Sequence, residues 1–322
     1  MGTMNKKITM ALVALMLTAP ITATAAPKSN LKNTSLPAPT IAILDSGIDM
    51  SQQKIKDRVV YEVCLIEIIE GSTSRCPNGQ TSMEGPGSAT LPVSRLLLGG
   101  FDHGTLMADQ AIQTNPNVKI VFIRIVGQRE NGAREYTNEA TVYNALQWVI
   151  NNQSKFNIQS VAMAQGSHNV GAVGTDYCPK TPTTVDKVKS LNSLGVGVFF
   201  PAGNNSDYQR VNWPGCIPEA ITMGATLPSG SIGFYSNYDP LLLDFYARGT
   251  TVLYGLNAKK TNFAGTSASV LVGATSWATV KSVKSNLSYS EMYSLISRTS
   301  SITKSSKISK GNLINLQAAL NG

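Results

Sequence analysis

Short apolar runs of strand length recur along this chain, with segments of helical period between them. Thr40-Ile-Ala-Ile-Leu44, Val118 to Val126, Ile158 to Ala164, Gly195 to Phe200 and Ala220 to Thr226 are apolar at most or all positions. A strand exposed on one face alternates apolar and polar residues. A strand covered on both faces reads as a near-continuous apolar run, which is the mark of a parallel sheet. Asn138 to Gln153 carries a helical period, with Val142, Ala145, Leu146, Val149 and Ile150 on one face. Thr184 to Leu194 repeats it with Val185, Val188, Leu191 and Leu194. Alternation on this scale predicts an α/β fold, a mostly parallel central sheet with helices on both faces. Ser288-Tyr-Ser-Glu291 has the pattern of a capping box and predicts a final helix there. Residues 231–264 lack a helical period and are rich in Gly, Asn and Tyr, which predicts short strands and turns. One domain is expected from about Thr40 to the C-terminus. Within it, residues 50–100, with segments such as Glu84-Gly-Pro-Gly-Ser88, are expected to form a surface insertion.

The first residues carry an address. Lys6 and Lys7 precede the apolar run Ile8 to Leu17, and Ala23-Thr-Ala25 places small residues at a cleavage position. This is the form of a signal peptide over residues 1–25, with cleavage near Ala25 and a run too short to span a membrane. It predicts a secreted or periplasmic chain that does not span a membrane. Residues 26–39 then read as an extended arm, with too little chain between Ala26 and Asp45 for a folded pro-domain. Four cysteines, Cys64, Cys76, Cys178 and Cys216, suit an oxidising compartment. Three pairings of them are possible. Sequential pairing is favoured, because Cys64 and Cys76 bracket a Gly/Ser/Pro-rich loop. No pair has the close spacing of a zinc site. The net charge of +8 is spread along the chain, densest at Lys281, Lys284, Lys304, Lys307 and Lys310. No basic run is interleaved with aromatic residues, so nucleic acid is not an expected partner.

Candidate chemistry begins at Asn262-Phe-Ala-Gly-Thr-Ser-Ala-Ser-Val270. Here Ser267 stands before an apolar segment at helical spacing, Val270, Ala274, Trp277 and Ala278. A serine at a helix mouth can be a simple cap. It can also be a nucleophile, with the free N–H groups of the first turn ready for an oxyanion. The second role requires a base, an orienting acid and a further oxyanion donor. Asp45 ends the first apolar run, where α/β sheets bind ligands. His103 opens a helical segment. A histidine, with a free pKa of about 6.5, can take the serine proton near neutral pH and return it to a leaving amine. An aspartate can hold that imidazole in the required tautomer. Asp49 and Asp102 are expected to be local structural acids, and His168 follows no base motif.

Four segments carry a resemblance beyond these single residues. Ile-Leu-Asp45-Ser-Gly-Ile-Asp49, Asp102-His103-Gly-Thr105, Ala202-Gly-Asn204 and Gly265-Thr-Ser267-Ala-Ser269 resemble the signature segments of the subtilisin-like serine proteases, in the same order. The resemblance runs from about Thr40 to the C-terminus. It implies a three-layer subtilisin-like fold and a serine endopeptidase, with Ser267 as nucleophile, His103 as base, Asp45 as orienting acid and Asn204 as oxyanion donor. It also implies a substrate cleft lined by Ala164, Gln165 and Gly166 on one side and by Pro201, Ala202 and Gly203 on another. Ala164-Gln165-Gly166 stands where the family usually has Ser-Leu-Gly, so the pocket chemistry is expected to differ. Ser267-Ala-Ser-Val-Leu-Val272 lacks the family's usual proline and histidine, and Leu106 replaces a second histidine. The expected partners are protein or peptide substrates, and the chain is read as a monomer. Without a pro-domain, three routes stay open: folding unaided, a separate inhibitor or chaperone, or inhibition by the 50–100 insertion. No organic cofactor is expected and no metal-binding residue is assigned; the resemblance leaves a structural calcium open, although no acidic loop clearly matches the calcium sites common in the family. Two rival readings use the same fold: a peptide ligase or transpeptidase, and a non-catalytic peptide-binding protein.

Overall fold

A computed structural model describes residues 36–67, 75–128, 138–167 and 181–322. The expected signal peptide, the expected arm as far as residue 35, His168 and Cys178 lie outside the described residues. The chain begins with β1 (Thr40–Asp45), α1 (Gln53–Lys56), β2 (Val59–Leu65), β3 (Ser82–Glu84) and α2 (Val93–Leu96). Next come α3 (His103–Thr114), β4 (Lys119–Arg124), α4 (Glu139–Phe156), β5 (Ile158–Met163) and α5 (Pro182–Ser193). They are followed by β6 (Gly197–Pro201), β7 (Ile221–Thr226), β8 (Phe245–Arg248), β9 (Thr250–Tyr254) and β10 (Lys260–Ala264). The chain closes with α6 (Thr266–Val283), α7 (Tyr289–Thr299), β11 (Ser301–Thr303), β12 (Gly311–Leu313) and α8 (Leu316–Asn321).

Among the described residues, ten strands form one sheet in the order β11-β12-β8-β7-β6-β5-β1-β4-β2-β3. From β12 to β2 every neighbouring pair is parallel; β11 and β3 run antiparallel at the two edges. Strand order reverses around β1, which lies between β4 and β5. Such a reversal opens a crevice at the carboxyl ends of the strands, where α/β sheets place their ligands. The separate β9–β10 hairpin leads directly into α6.

Alternate side chains of the central strands feed two cores, as the period of a strand requires. Ile41, Ile43, Ile120 and Phe122 face α3 and α6, together with Val270, Leu271, Ala274 and Trp277. Ala42, Leu44, Val121 and Ile123 face α4 and α5, together with Val142, Leu146, Val149, Val188 and Leu191. The result is three layers, helix on sheet on helix. Helix α6 is buried on nearly all sides as far as Val280, which explains an apolar sequence without one marked face. Helix α4 starts at Asn138, whose side chain accepts from the Thr141 N–H at 2.9 Å, and ends at Asn157 in the left-handed conformation. Ser288 and Glu291 form the expected capping box at the start of α7.

Two expectations are corrected. The segment 50–100 is not a surface insertion throughout. Val59–Leu65 is an integral strand beside β4, and it is joined to the following loop by a Cys64–Cys76 disulfide whose surroundings are buried. Leu194 does not face the core, because α5 ends at Ser193 and the next residue turns outward, 49% exposed. Cys216 is disulfide-bonded as well. Among the described residues, no helix is long and apolar enough to cross a membrane.

Candidate active site

β1 ends in Asp45, whose side chain is fully buried. Asp45 Oδ1 accepts from the Ser46 N–H at 2.7 Å. The Ser46 hydroxyl donates to the Phe101 carbonyl at 2.9 Å and accepts from the Gly104 N–H at 3.2 Å, tying the end of β1 to the first turn of α3. Gly104 permits that approach, since a Cβ there would stand 2.5 Å from the Gly47 carbonyl oxygen and 2.6 Å from Phe122 Cζ. His103, the first residue of α3, is thereby held against Asp45. Its Nδ1 lies 2.8 Å from Oδ1 and 3.0 Å from Oδ2. A carboxylate only accepts, so Nδ1 carries the proton and Nε2 of the neutral ring keeps its lone pair. The Phe263 ring flanks the imidazole, with centroids 5.9 Å apart.

Ser267 is the second residue of α6, so its N–H is among the first amides of the helix, which lack an intrahelical acceptor. Its side-chain hydroxyl donates to the Ala164 carbonyl at 3.0 Å and makes no hydrogen bond to His103. Asn204 lies alongside. Its Oδ1 accepts from the Thr266 N–H at 2.8 Å and from the Thr266 hydroxyl at 3.0 Å. The same hydroxyl accepts from the Gly203 N–H at 3.2 Å. With its oxygen committed to Thr266, Asn204 turns Nδ2 toward Gly265, where a Cβ would come within 3.4 Å of it. Asn204 Nδ2 is thereby directed to the glycine that precedes Thr266 and Ser267. Gly203 adopts φ +110°, and a Cβ there would meet the Asn212 side chain at 2.5 Å.

Two buried carboxylates hold the surrounding loops. Asp49 accepts from the Ser51 N–H and hydroxyl at 3.0 and 2.6 Å, from Gln52 Nε2 at 3.1 Å and from the Asn257 N–H at 3.1 Å. Burial acts to raise its pKa, but these hydrogen bonds outweigh it and hold the carboxyl below its ordinary value. Its own N–H donates to Thr105 in α3 at 3.0 Å, so the residue joins the segment after β1 to α3 as well as to the loop at Asn257. Asp102 occupies the N-cap position of α3 without a side-chain cap bond. Asp109, also in α3, accepts from Lys54, from Gln113 Nε2 at 2.8 Å and from the Tyr254 N–H at 2.7 Å. It ties the helix that carries His103 to the hairpin that delivers Ser267. No sequence motif announced Asp109, because its partners Lys54 and Tyr254 are distant in the chain; Ser46 and Thr266 stand inside the motifs of Asp45 and Ser267, but their contacts to Gly104 and Asn204 could not be read there.

The expected cleft residues divide. Gly166 is exposed beside Trp213, whose carbonyl accepts from the Ser167 N–H at 2.9 Å. Ala164 offers its carbonyl to Ser267 and is otherwise buried. Gln165 is 6% exposed, and its side chain turns inward to Asp45 instead of lining a pocket wall. Ala202 is fully buried in the core, and Pro201 is buried at the end of β6. Among the described residues no cluster of His, Cys, Asp and Glu has the arrangement of a metal site.

Comparison with known proteins agrees with this architecture. The model of the subtilase family matches residues 37–317. A cuticle-degrading serine protease of Arthrobotrys oligospora is 25% identical over 219 residues, covering 66% of this chain. The chain spans 44% of that relative's length. A protease of Pseudoalteromonas arctica superposes with a TM-score of 0.67 at 17% identity, over 88% of this chain and 89% of its own. The epidermin leader peptide processing serine protease of Staphylococcus aureus gives 0.69 at 16% identity, over 89% and 76%. At such identities the structural likeness establishes the fold alone. The family match covers nearly all of the sheet and its helices, including the Asp45, His103, Asn204 and Ser267 segments, and on it the chain belongs to the subtilase family.

Proposed function

We propose that this chain is an exported serine endopeptidase that hydrolyses peptide bonds through an acyl-enzyme on Ser267. The observation that carries the reading is the buried Asp45 carboxylate paired to His103 Nδ1 at 2.8 and 3.0 Å, at the crevice where the strand order reverses. That pairing leaves Nε2 as the basic nitrogen. For the attack the Ser267 hydroxyl would leave the Ala164 carbonyl and donate to this nitrogen instead. As Ser267 Oγ attacks the scissile carbonyl carbon, its proton passes to Nε2, and Asp45 stabilises the imidazolium. The carbonyl oxygen becomes an oxyanion, which the Ser267 N–H and Asn204 Nδ2 are suited to bind. On collapse, Nε2 gives its proton to the departing amine. Water then attacks the acyl-enzyme by the same proton route, releasing the acid and restoring Ser267.

The substrate enters as an extended segment. Backbone pairing would use the exposed segment at Gly166, three residues beyond the end of β5, which needs N–H and C=O groups and no particular side chain. A fluorophosphonate probe is expected to label the purified chain, and fluorogenic peptides to be cleaved, with both activities lost in Ser267→Ala. A folded wild-type chain that takes no label between pH 5 and 9 would refute the reading. The mature N-terminus of exported material, expected near Ala26, tests the address.

A further inference from the structure

We propose that Gln165 is a positioning residue for the Asp45–His103 pair, fixing by its side-chain amide the carboxylate on which the imidazole depends. The inference rests on the function proposed above and concerns a residue whose place in the sequence suggested only a cleft wall. Gln165 follows β5 by two residues, at the carboxyl edge of the sheet beside β1. A long polar side chain at such an edge can reach solvent. This one is buried, with Nε2 2.8 Å from Asp45 Oδ1. The partner identifies the atom, because an amide oxygen at that distance would face a second acceptor, whereas an N–H donates.

Nε2 also lies 3.1 Å from His103 Nδ1. Two donors do not bond each other, so this short distance records both N–H groups converging on the same oxygen. Asp45 Oδ1 thus accepts from Ser46 at 2.7 Å, from Gln165 at 2.8 Å and from His103 at 2.8 Å. The three donors come from the turn after β1, the end of β5 and the start of α3. They leave the carboxylate little freedom to rotate. The neighbouring residue completes the arrangement, since the Ala164 carbonyl receives the Ser267 hydroxyl. One dipeptide therefore touches both ends of the proposed relay, Ala164 through its backbone and Gln165 through its side chain.

Glutamate at this position separates positioning from wall-building. It would place a second carboxyl in hydrogen-bond contact with Asp45, and two carboxylates so close share one proton while the ionised pair raises the pKa of an adjacent imidazole. Methionine has similar length and no donor. Only His103 and His168 occur in the sequence, so one His168→Gln variant assigns the imidazole NMR signals.

In Gln165→Glu the His103 titration is expected to move up by about 1 pH unit or more, with the acidic limb of kcat/KM moving alongside. In Gln165→Met, kcat is expected to fall by about tenfold or more, as for loss of one charge-assisted hydrogen bond, with KM within about twofold. A His103 titration unchanged in Gln165→Glu, or a change confined to KM in Gln165→Met, would overturn the proposal. The NMR titration needs no substrate. It therefore reads the coupling even if fluorophosphonate labelling of the wild type fails, which would refute the proposed function on its own.

Discussion

Asp109 offers a direct test of how the helix bearing His103 is joined to the hairpin that leads to Ser267. It is 1% exposed, and its two oxygens do different work. Oδ1 receives Lys54, whose side chain is 38% exposed. Oδ2 receives Gln113 Nε2 at 2.8 Å and the Tyr254 N–H at 2.7 Å. A half-exposed ion pair contributes about 0–1 kcal/mol, whereas a hydrogen bond to a charged group contributes about 1.5–3 kcal/mol. Asparagine can keep its oxygen toward Gln113 and Tyr254 but loses the lysine and the charge that strengthens both bonds, so Asp109→Asn should cost about 1–2 kcal/mol. Alanine removes all of these partners at once, and because such terms do not add fully, Asp109→Ala should cost about 3–5 kcal/mol. Urea unfolding followed by tryptophan fluorescence would measure both. It is best run on the Ser267→Ala chain, where self-digestion cannot interfere. Hydrogen exchange should show the loss concentrated at the amides of β9 and β10. Equal losses in the two variants would place the anchoring in the lysine pair, and a loss below about 1 kcal/mol in Asp109→Ala would refute it altogether.

Asn204→Leu should lower kcat by about 10²–10³ with little change in KM, the magnitude known for loss of the oxyanion-hole asparagine in a subtilisin; steady-state kinetics on a fluorogenic peptide would check it. Gly104→Ala drives a methyl to within 2.5 Å of the Gly47 carbonyl oxygen, so it should cost about 1–3 kcal/mol and displace His103, read as a lower melting temperature and a lower kcat. Asp244 is the pH-sensitive group far from the site. Burial raises its pKa from 3.8 to about 6, although hydrogen bonds from Tyr293 and the Thr222 N–H oppose the shift. Since the folded pKa lies above the unfolded one, the protonated carboxyl adds stability that is complete below pH 3.8 and lost as pH rises through about 6. The whole contribution is at most about 3 kcal/mol, and Asp244→Asn should flatten the stability profile in that window when unfolding is measured from pH 4 to 7.

Much of this protein was legible without coordinates, because the signals involved are local. A strand covered on both faces must be apolar at successive positions, and so β1, β4, β5, β6 and β7 were readable within a residue or two. The capping box of Ser288 and Glu291 spans one helical turn, and the motifs around Asp45, His103, Asn204 and Ser267 are each a few residues long. Where the reading failed, local signals were present but misweighed. Val59-Val-Tyr-Glu-Val-Cys-Leu65 is a β-branched, apolar run ahead of the Gly/Ser/Pro-rich loop, and pairing with β4 makes it part of the sheet. Leu194 keeps the period of α5 in sequence, but the helix has already ended.

The sequence by itself determined which residue types stand at the strand ends and helix mouths, because burial period and turn chemistry act over short stretches. Only the tertiary structure decided where those side chains point. Gln165 lies 120 positions from Asp45, and its amide turns inward because β5 and β1 are neighbours in the sheet. Asn204 lies 62 positions from Thr266, and its amide is oriented because β6 ends beside the start of α6. Hydrogen-bond direction at a buried group depends on what the fold brings opposite to it, which no local pattern encodes.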